Sequence, residues 1–438
     1  MSRLFGTSGI RGVYGKEVTV ALATDVGSAL ATTLKGKKVV VGRDQRNSSP
    51  ELEDAINLGL VGSGADVLTI GIVPTPALAF AAKELGAGAG VMVTASHNPP
   101  EYNGIKLWNG DASAYTSKQE MELEKVISKK SFAEAKEPGA ISEEDIKANY
   151  IGFLKNSVEI KNEFRIALDC GNGTASVISP LLLRNYASEL ESIFDTLDGT
   201  FPNRPSEPAE KNLSALIEAV KKSGADVGFA HDGDADRIAV IDDKGEFVPQ
   251  DKLLALLALY EAEKGDMVAV PVNTSMIVDE VIENVGGKVV RTRVGDVAVA
   301  QELIRHKGVF GGEPSGCYIF PKVHLCPDGI LASLKVLQIM DLTGKSLSKL
   351  VSRMPSYPLL RETVKCSNED KEETVKQLAE RAKSIAGAKK VTKIDGVRVD
   401  FEDEWILVRA SGTEPKVRVT VEAKDKKRAK ELMEYMLE

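Results

Sequence analysis

The hydrophobic pattern of the chain divides it into segments of two kinds. Short apolar runs alternate with longer stretches whose apolar residues recur at helical spacing. A short apolar run bounded by glycine or proline is typical of a buried strand, whereas spacing of three or four residues is typical of an amphipathic helix. The first 100 residues are therefore predicted to alternate helix and strand, over residues 20–33, 38–41, 49–63, 67–70, 77–85 and 91–93.

The order of strand, helix and strand recurs twice farther along the chain. We predict strands of the second copy at 165–168, 190–194 and 227–230, and of the third at 267–270, 288–291 and 308–310. The copies are roughly 100 residues long, so they indicate related domains and not a solenoid. This order favours mostly parallel sheets with helices on both faces. We therefore predict three α/β domains, over residues 1–150, 151–249 and 250–355.

The last part of the chain follows a different pattern. A predicted helix at 371–385 precedes three short alternating segments and a closing helix, at 396–401, 405–409, 417–423 and 425–436. Alternation of this kind is typical of an antiparallel sheet with one solvated face. Residues 356–438 are thus predicted to form a smaller α+β domain. Two segments are interpreted as linkers, the charged stretch 128–149 and the stretch 353–362, which contains Pro355 and Pro358.

Composition narrows the class of protein. The 438 residues are 43% hydrophobic and 27% charged, which is typical of a globular protein with several cores. With 56 basic and 64 acidic residues the net charge is −8, which argues against a nucleic-acid partner. Four cysteines without paired spacing indicate a reducing compartment.

The chain also lacks the pattern of a membrane protein. Its first residues carry no apolar signal segment, and its longest apolar run, residues 253–260, is too short to span a bilayer. We expect a cytoplasmic protein without a membrane partner. Whether it is a monomer or a homodimer is left open.

The most informative stretch is Thr94-Ala95-Ser96-His97-Asn98, which follows the predicted strand at 91–93 and ends in two prolines. Ligands of open α/β sheets bind at the carboxyl ends of the strands, so Ser96 is a candidate nucleophile. His97 is adjacent and Lys106 follows ten residues later. The alternative is a polar loop whose serine bonds only to local backbone.

A second loop carries Asp232, Asp234 and Asp236 after the predicted strand at 227–230. Three carboxylates that share a small space need a cation, and hard oxygen ligands suit Mg²⁺ or Ca²⁺. The Ca²⁺ helix-loop-helix pattern fits poorly, since Arg237 and Asp243 stand where it requires glycine and glutamate. Magnesium is favoured, with an acidic surface turn as the alternative.

Two further loops contain groups that suit a sugar phosphate. Glu313 and Ser315 lie on a glycine-rich loop, where a carboxylate and a hydroxyl can bind adjacent sugar hydroxyls. Near the C-terminus, backbone N–H groups, hydroxyls and cations suit a phosphate dianion, at Arg409, Ser411, Gly412, Thr413 and Arg418. A polar hairpin turn is the alternative for this last loop.

Four motifs occur in order: TASHNP at 94–99, DGDADR at 232–237, GGEPSG at 311–316 and RASGTEP at 409–415. Together they resemble the α-D-phosphohexomutase family, in its archaeal type, over essentially the whole chain. The resemblance implies an isomerase that moves a phosphate between C1 and C6 of a hexose. Glucosamine phosphates are the expected substrates, and mannose and glucose phosphates are the alternatives.

The resemblance also implies roles for individual residues. Ser96 would carry a phosphate, and one Mg²⁺ per chain would be held by Ser96, Asp232, Asp234 and Asp236, with a hexose 1,6-bisphosphate as intermediate and activator. Arg11, Arg237 and Lys106 would bind the transferred phosphate. Lys106 is also a candidate acid or base, and His97 is a candidate for positioning the phosphoserine. Glu313 and Ser315 would belong to the sugar-specificity loop.

One position departs from the family pattern. Bacterial members often have a histidine directly after the sugar loop, where this chain has Cys317. A thiol is a poor replacement for an imidazole base, so the second acid or base is left open. Cys317, His324 and Cys326 could in principle hold zinc, although their spacing matches no common zinc pattern. A sugar-phosphate phosphatase with a water nucleophile and a non-enzymatic sugar-phosphate sensor are the alternative functions.

Overall fold

The computed structural model describes residues 4–6, 8–411 and 415–438. Its contacts group the chain into two units. The first comprises Met1–Gln250 and Ser315–Ser352, and the second comprises Asp251–Pro314 and Arg353–Glu438. Among the described residues, no helix combines the length and the apolar character needed to cross a bilayer.

The first α/β domain is built on a six-stranded sheet in the order β1-β5-β4-β2-β3-β6. Its strands are β1 (Ile10–Val13), β2 (Val39–Arg43), β3 (Val67–Ile72), β4 (Ala89–Val93), β5 (Tyr102–Asn109) and β6 (Ile141–Glu143). Its helices are α1 (Val20–Leu34), α2 (Ser49–Gly62), α3 (Thr75–Glu84) and α4 (Ser117–Lys129). Strand β2 lies parallel to β3 and β4, and β5 runs antiparallel to β4 and β1.

The second α/β domain has a four-stranded sheet in the order β10-β9-β7-β8. The elements are α5 (Lys147–Lys155), β7 (Phe164–Asp169), α6 (Ser179–Leu183), β8 (Ala187–Ile193), α7 (Ser214–Ser223), β9 (Val227–His231) and β10 (Ile238–Ile241), with short 3-10 turns at Thr174–Val177 and Glu210–Asn212. Strand β7 is parallel to β8 and β9, and β10 is antiparallel to β9.

The third copy of the pattern follows. Its elements are α8 (Gln250–Glu261), β11 (Met267–Pro271), α9 (Ile277–Asn284), β12 (Lys288–Thr292), α10 (Asp296–His306), β13 (Phe310–Gly312), β14 (Tyr318–Ile319), α11 (Gly329–Thr343) and α12 (Leu347–Val351). Strand β11 pairs in parallel with both β12 and β13. The three repeated parallel arrangements confirm the α/β prediction.

The C-terminal sheet is antiparallel throughout, in the order β15-β19-β18-β17-β16. Its elements are β15 (Leu359–Lys365), α13 (Lys371–Ser384), β16 (Lys390–Thr392), β17 (Val397–Asp400), β18 (Glu404–Ala410), β19 (Lys416–Ala423) and α14 (Lys426–Leu437). Both helices contribute to one core with the inner faces of β17, β18 and β19. The predicted α+β architecture is confirmed here too.

The pattern missed several strands, and two of them change the interpretation of a segment. Strand β6 lies within the predicted linker 128–149, and β15 overlaps the predicted linker 353–362. All three residues of β6 are exposed, and β15 has no fully buried residue. Neither segment has the regular alternation of apolar and polar residues that indicates a strand, although Leu360 and Val364 of β15 pack against the C-terminal core. The boundaries of the four domains stay a prediction.

Candidate active site

Ser96 lies in the loop between β4 and β5, where its backbone adopts a left-handed conformation with φ 52°. Its side chain is fully buried. The hydroxyl donates a hydrogen bond to Asp232 Oδ2 at 2.7 Å. Nδ1 of His97 lies 3.2 Å from Oγ of Ser96. The serine is therefore held against the carboxylate loop and not merely against its own backbone.

The loop after β9 brings the three predicted metal ligands together. One carboxylate oxygen from each of Asp232, Asp234 and Asp236 lies within 4.8 Å of the others, and all three residues are buried. The intervening Gly233 allows this loop to approach the serine loop, because a Cβ atom there would lie 2.6 Å from the Ser96 carbonyl oxygen. Ala235 has a φ of 56°, so the backbone turns sharply between the second and third carboxylates.

Lys106 reaches the same cluster from β5. Its ammonium donates to Asp234 Oδ2 at 2.7 Å and to Asp236 Oδ2 at 2.6 Å. The antiparallel pairing of β5 with β4 places Lys106 opposite Met92, close to the end of the strand that leads to Ser96. The predicted nucleophile, lysine and carboxylates are thus brought into one buried cluster.

The sequence analysis missed one member of this cluster. Thr75, the first residue of α3, donates its hydroxyl to Asp234 Oδ2 at 2.6 Å and its backbone N–H to the Asp234 carbonyl at 2.9 Å. Its position directly after a strand, between Pro74 and Pro76, was the available signal. Thr75 fixes both the backbone and the side chain of Asp234.

Burial and mutual repulsion separate the pKa values of the carboxylates. Burial and the negative charges of Asp236 and Asp234 raise the pKa of Asp232 well above its ordinary value. Burial and the charge of Asp234 likewise raise the pKa of Asp236. For Asp234, burial acts in the same direction, but Lys106 and Thr75 outweigh it and hold the pKa below its ordinary value.

Lys106 and His97 differ in protonation state. Burial lowers the pKa of Lys106, but the attraction of Asp234 and Asp236 is stronger and raises it above its ordinary value. The pKa of His97 is lowered to about 2 by burial and then by the positive charges of Arg237 and Arg11. At neutral pH the lysine is an ammonium ion and the imidazole is neutral.

The donor set fits a small divalent cation. Besides the oxygens that hold Lys106, the cluster presents Oδ1 of Asp234 and Oδ1 of Asp236, which are buried and have no hydrogen-bond partner within the described residues. Unpartnered buried carboxylate oxygens are costly, and a cation would satisfy them. With the hydroxyl oxygen of Ser96 next to Asp232, the site offers the oxygen ligands that Mg²⁺ prefers.

Both predicted arginines belong to the same contact unit as Ser96. Arg11, on β1, donates from Nη1 to Asn98 Oδ1 at 3.3 Å, in the loop that carries Ser96. Nε of Arg237 lies 3.9 Å from Asp236 Oδ1. The positive charges of Arg237 and Arg11 both lower the pKa of His97, the residue next to Ser96.

The predicted sugar-loop residues have separate surroundings. Glu313 is buried and accepts a hydrogen bond from the backbone N–H of Gly295 at 2.8 Å, within the second contact unit. Ser315 belongs to the first unit, where its buried hydroxyl has no hydrogen-bond partner within the part of the chain that the structure describes.

The predicted phosphate loop is only partly described. Gly412 and Thr413 lie outside the described residues. Arg409 and Arg418 face each other across the pairing of β18 with β19. Nε of Arg409 lies 3.0 Å from Asp395 Oδ2, and the Ser411 carbonyl accepts a hydrogen bond from Lys371 Nζ at 2.9 Å. Three cationic side chains, Arg409, Arg418 and Lys371, therefore lie in or beside the described part of this loop.

Cys317 and His324 have different surroundings. Cys317 is buried and forms a β-bridge with Arg237, so its backbone lies beside the end of the carboxylate loop. Nε2 of His324 lies 2.9 Å from Asp328 Oδ2, which also accepts a 2.6 Å hydrogen bond from the Tyr150 hydroxyl. His324 is thus part of a buried polar network at the start of α11.

Comparison with known proteins matches four consecutive regions of the chain to models of one protein family. Models of the phosphoglucomutase/phosphomannomutase family match α/β/α domain I at residues 2–134, domain II at 148–245, domain III at 249–357 and the C-terminal domain at 363–438. Among curated relatives, a protein named probable phosphoglucosamine mutase from Thermococcus kodakarensis is 45% identical over 99% of this chain and 97% of its own length. The phosphoglucosamine mutase of Methanocaldococcus jannaschii is 44% identical over the same shares.

A solved structure extends the comparison to the fold. A phosphoglucomutase/phosphomannomutase family protein from Burkholderia thailandensis superposes with a TM-score of 0.90 at 29% identity, covering 99% of this chain and 96% of that one. The similarity covers the chain from end to end, as the four motifs predicted. The chain therefore belongs to the α-D-phosphohexomutase family and is an isomerase of the phosphomutase type.

Proposed function

We propose that the chain converts glucosamine 6-phosphate to glucosamine 1-phosphate through a phosphoserine at Ser96. The observation that carries this proposal is the hydrogen bond from the Ser96 hydroxyl to Asp232, which joins the candidate nucleophile to a buried three-carboxylate cluster. The names of full-length relatives at 44–45% identity support glucosamine phosphate as the substrate. Mannose and glucose phosphates are the substrates against which this choice must be tested.

We assign one Mg²⁺ per chain to Asp232, Asp234, Asp236 and the oxygen of Ser96. When bound, the ion would neutralise negative charge on the phosphoryl group during transfer. The two buried carboxylate oxygens without a hydrogen-bond partner within the described residues support this assignment. A hexose 1,6-bisphosphate is assigned as the activator, since it would restore the phosphate to a serine that has lost it.

The proposed chemistry consists of two reciprocal transfers. In the first, the bond between phosphorus and the Ser96 oxygen breaks while a sugar hydroxyl oxygen bonds to phosphorus, and the net proton transfer is from that hydroxyl to the Ser96 oxygen. The resulting bisphosphate turns within the site. In the second transfer, its other phosphoryl group moves to Ser96, which leaves a monophosphate of the opposite regiochemistry. The reaction needs no net water, so exclusion of water protects the phosphoserine from hydrolysis.

The residues around Ser96 have distinct proposed roles. Arg11 and Arg237 would bind the oxygens of the transferred phosphoryl group, for which arginine is well suited. Lys106 is protonated, so we assign it the acid role of returning a proton to the Ser96 oxygen as that oxygen leaves phosphorus. His97 is neutral and within hydrogen-bond reach of Ser96, which suits a positioning role.

The remaining groups would bind the parts of the substrate that do not react. We assign Glu313 and Ser315 to the sugar hydroxyls or the 2-amino group. The phosphate that is not being transferred is assigned to Arg409, Ser411, Gly412, Thr413 and Arg418. Cys317 is not assigned as a base, because a thiol accepts protons poorly.

A coupled assay tests the proposed function. Purified protein with Mg²⁺ and a catalytic amount of hexose 1,6-bisphosphate should convert glucosamine 6-phosphate with a higher kcat/KM than mannose 6-phosphate or glucose 6-phosphate. Inorganic phosphate should not accumulate. A higher kcat/KM for another hexose phosphate would refute the substrate assignment, and stoichiometric release of phosphate would favour the phosphatase alternative.

A further inference from the structure

Arg46 lies behind the loop that carries Ser96 and is fully buried. Its guanidinium group donates to three backbone carbonyls of that loop and to the carbonyl of Tyr102, the first residue of β5. Nη1 lies 2.6 Å from the Pro99 oxygen and 3.0 Å from the Tyr102 oxygen, and Nη2 lies 2.8 Å from the Ser96 oxygen and 2.7 Å from the Asn98 oxygen. One side chain therefore holds the backbone of Ser96 and the segment that follows it.

The guanidinium is itself held in place on several sides. Its Nε donates to Asp44 Oδ2 at 3.0 Å, and the guanidinium carbon lies 5.0 Å from the centre of the Phe201 ring. Asp44 Oδ2 also accepts the Thr94 hydroxyl at 2.8 Å, and the Thr94 oxygen in turn accepts the backbone N–H of Ser96 at 2.9 Å. Asp44 and Arg46 thus fix the peptide groups on both sides of Ser96.

This support acts at a strained residue. The left-handed backbone of Ser96 is uncommon for a residue with a side chain, and such conformations persist only where their surroundings enforce them. The Ser96 carbonyl accepts a second hydrogen bond, from Ser206 Oγ at 3.1 Å. Relaxation of this peptide would turn the Ser96 side chain away from Asp232, which it now contacts at 2.7 Å.

We propose that Arg46 is a positioning residue for phosphoryl transfer, which holds Ser96 in the left-handed conformation that aims its oxygen at the carboxylate cluster. The inference rests on the proposed function of Ser96 as the phosphate carrier. Arg46 has no contact with the reacting atoms in this role. Its effect passes through the carbonyls of Ser96 and Asn98, which it contacts with one nitrogen.

Replacement of Arg46 by lysine can test this role, because lysine keeps the positive charge but lacks the planar set of donors. The planar guanidinium presents donors in a rigid fork, whereas an ammonium group cannot reach four carbonyls from one position. Arg46→Lys should therefore lower kcat by about tenfold to a hundredfold, the scale on which small misplacements affect catalysis. The KM should stay unchanged, since Arg46 contacts the serine loop and is not assigned to the substrate.

The matched control is Leu60→Ala, in the buried core of the same α/β domain. It removes buried volume on α2, a helix that carries none of the residues assigned to the site, so it should destabilise the protein while kcat below the unfolding temperature stays unchanged. A second measurement is independent of turnover. Hydrogen exchange of the Ser96 amide should be faster in Arg46→Lys than in Leu60→Ala at equal global stability.

Ser206→Ala provides a second route to the same carbonyl if Arg46→Lys fails to fold. It removes one donor to the Ser96 oxygen and should also lower kcat at unchanged KM and speed exchange of the Ser96 amide. The proposal is overturned if Arg46→Lys, or Ser206→Ala where Arg46→Lys does not fold, keeps the kcat and the Ser96 amide exchange rate of Leu60→Ala. Wild-type turnover is measured in the same assay, so an inactive wild type would count against the proposed function and not against the role of Arg46.

Discussion

At the scale of single residues, the three carboxylates of the cluster are not equivalent. Asp234 has close cationic and hydroxyl partners in Lys106 and Thr75, and its pKa lies below the ordinary value. Asp232 is buried beside two like charges, which raises its pKa well above the ordinary value. Without a cation, the charge on Asp232 should therefore destabilise the fold, whereas the charge on Asp234 should contribute to it.

This difference predicts opposite effects of two similar substitutions in metal-free protein. At pH 7, Asp232→Asn should raise the free energy of unfolding, because it removes a carboxyl group whose ionisation the folded state disfavours. Asp234→Asn should lower it by about 1–3 kcal/mol, because Lys106 loses a charged partner in a buried site. Both variants should lose mutase activity. Chemical denaturation in the presence of EDTA measures the stabilities.

The pH dependence provides the check on this explanation. The pKa of Asp232 is higher in the folded than in the unfolded protein, so this carboxyl makes folding less favourable at pH values above its unfolded pKa, and the penalty disappears as the pH falls. The stability gain of Asp232→Asn should therefore vanish below about pH 3.9, where the unfolded carboxyl is also protonated. A gain that is constant from neutral to acidic pH would contradict the electrostatic account.

At the scale of elements, the site depends on the close approach of two loops, one after β4 and one after β9. Gly233 permits this approach, since a Cβ atom would lie 2.6 Å from the Ser96 carbonyl oxygen and 2.7 Å from Ser206 Oγ. Gly62, at the end of α2, is exposed and has open space where a Cβ would be added. The two glycines provide a test and its control.

We expect Gly233→Ala to push the loops apart and to lower kcat by at least about a hundredfold, because the serine oxygen would no longer sit against the carboxylates. Gly62→Ala should keep full activity and should stabilise the protein by about 0.5–1 kcal/mol, since alanine is favoured over glycine in a helix. Steady-state kinetics and thermal unfolding measure the two effects. Wild-type kcat in Gly233→Ala would show that the contact between the loops is not needed.

The sequence pattern placed the loops correctly because apolar runs mark the buried strands before them. Ser96 and Asp232 follow β4 and β9, and all residues of these two strands are buried. The pattern did not predict β5, which follows two prolines and in which Lys106 interrupts the apolar residues Ile105, Leu107 and Trp108. A buried lysine breaks the apolar run, and its partners Asp234 and Asp236 are distant in sequence.

Two other contacts could not be predicted from the hydrophobic pattern. The link between Thr75 and Asp234 joins residues 159 positions apart, and that between Arg46 and the Ser96 carbonyl spans 50 positions. Neither type of residue is distinctive in a single sequence, because threonine and arginine have many ordinary roles. These contacts depend on the packing of whole elements and become visible only in the folded chain.

At the scale of the whole molecule, the chain carries a net charge of −8 although its proposed substrate is an anion. Overall charge would repel a sugar phosphate, so local cations must bind it. The first contact unit supplies Arg11, Lys106 and Arg237 close to Ser96, and the second contains Arg409 and Arg418. Raising the ionic strength should therefore weaken binding less than it would for a protein that attracts its ligand by net charge.

The central claim is that Ser96 carries the phosphate that is exchanged with the sugar. The most direct test is the intact mass of wild type and of Ser96→Ala after incubation with Mg²⁺ and glucose 1,6-bisphosphate, followed by peptide mapping. Wild type should gain one phosphoryl group at Ser96 and lose it to added hexose monophosphate, whereas Ser96→Ala should gain none and should have no measurable mutase activity. Phosphorylation of Ser96→Ala at the wild-type level, or wild-type turnover without Ser96, would contradict the account.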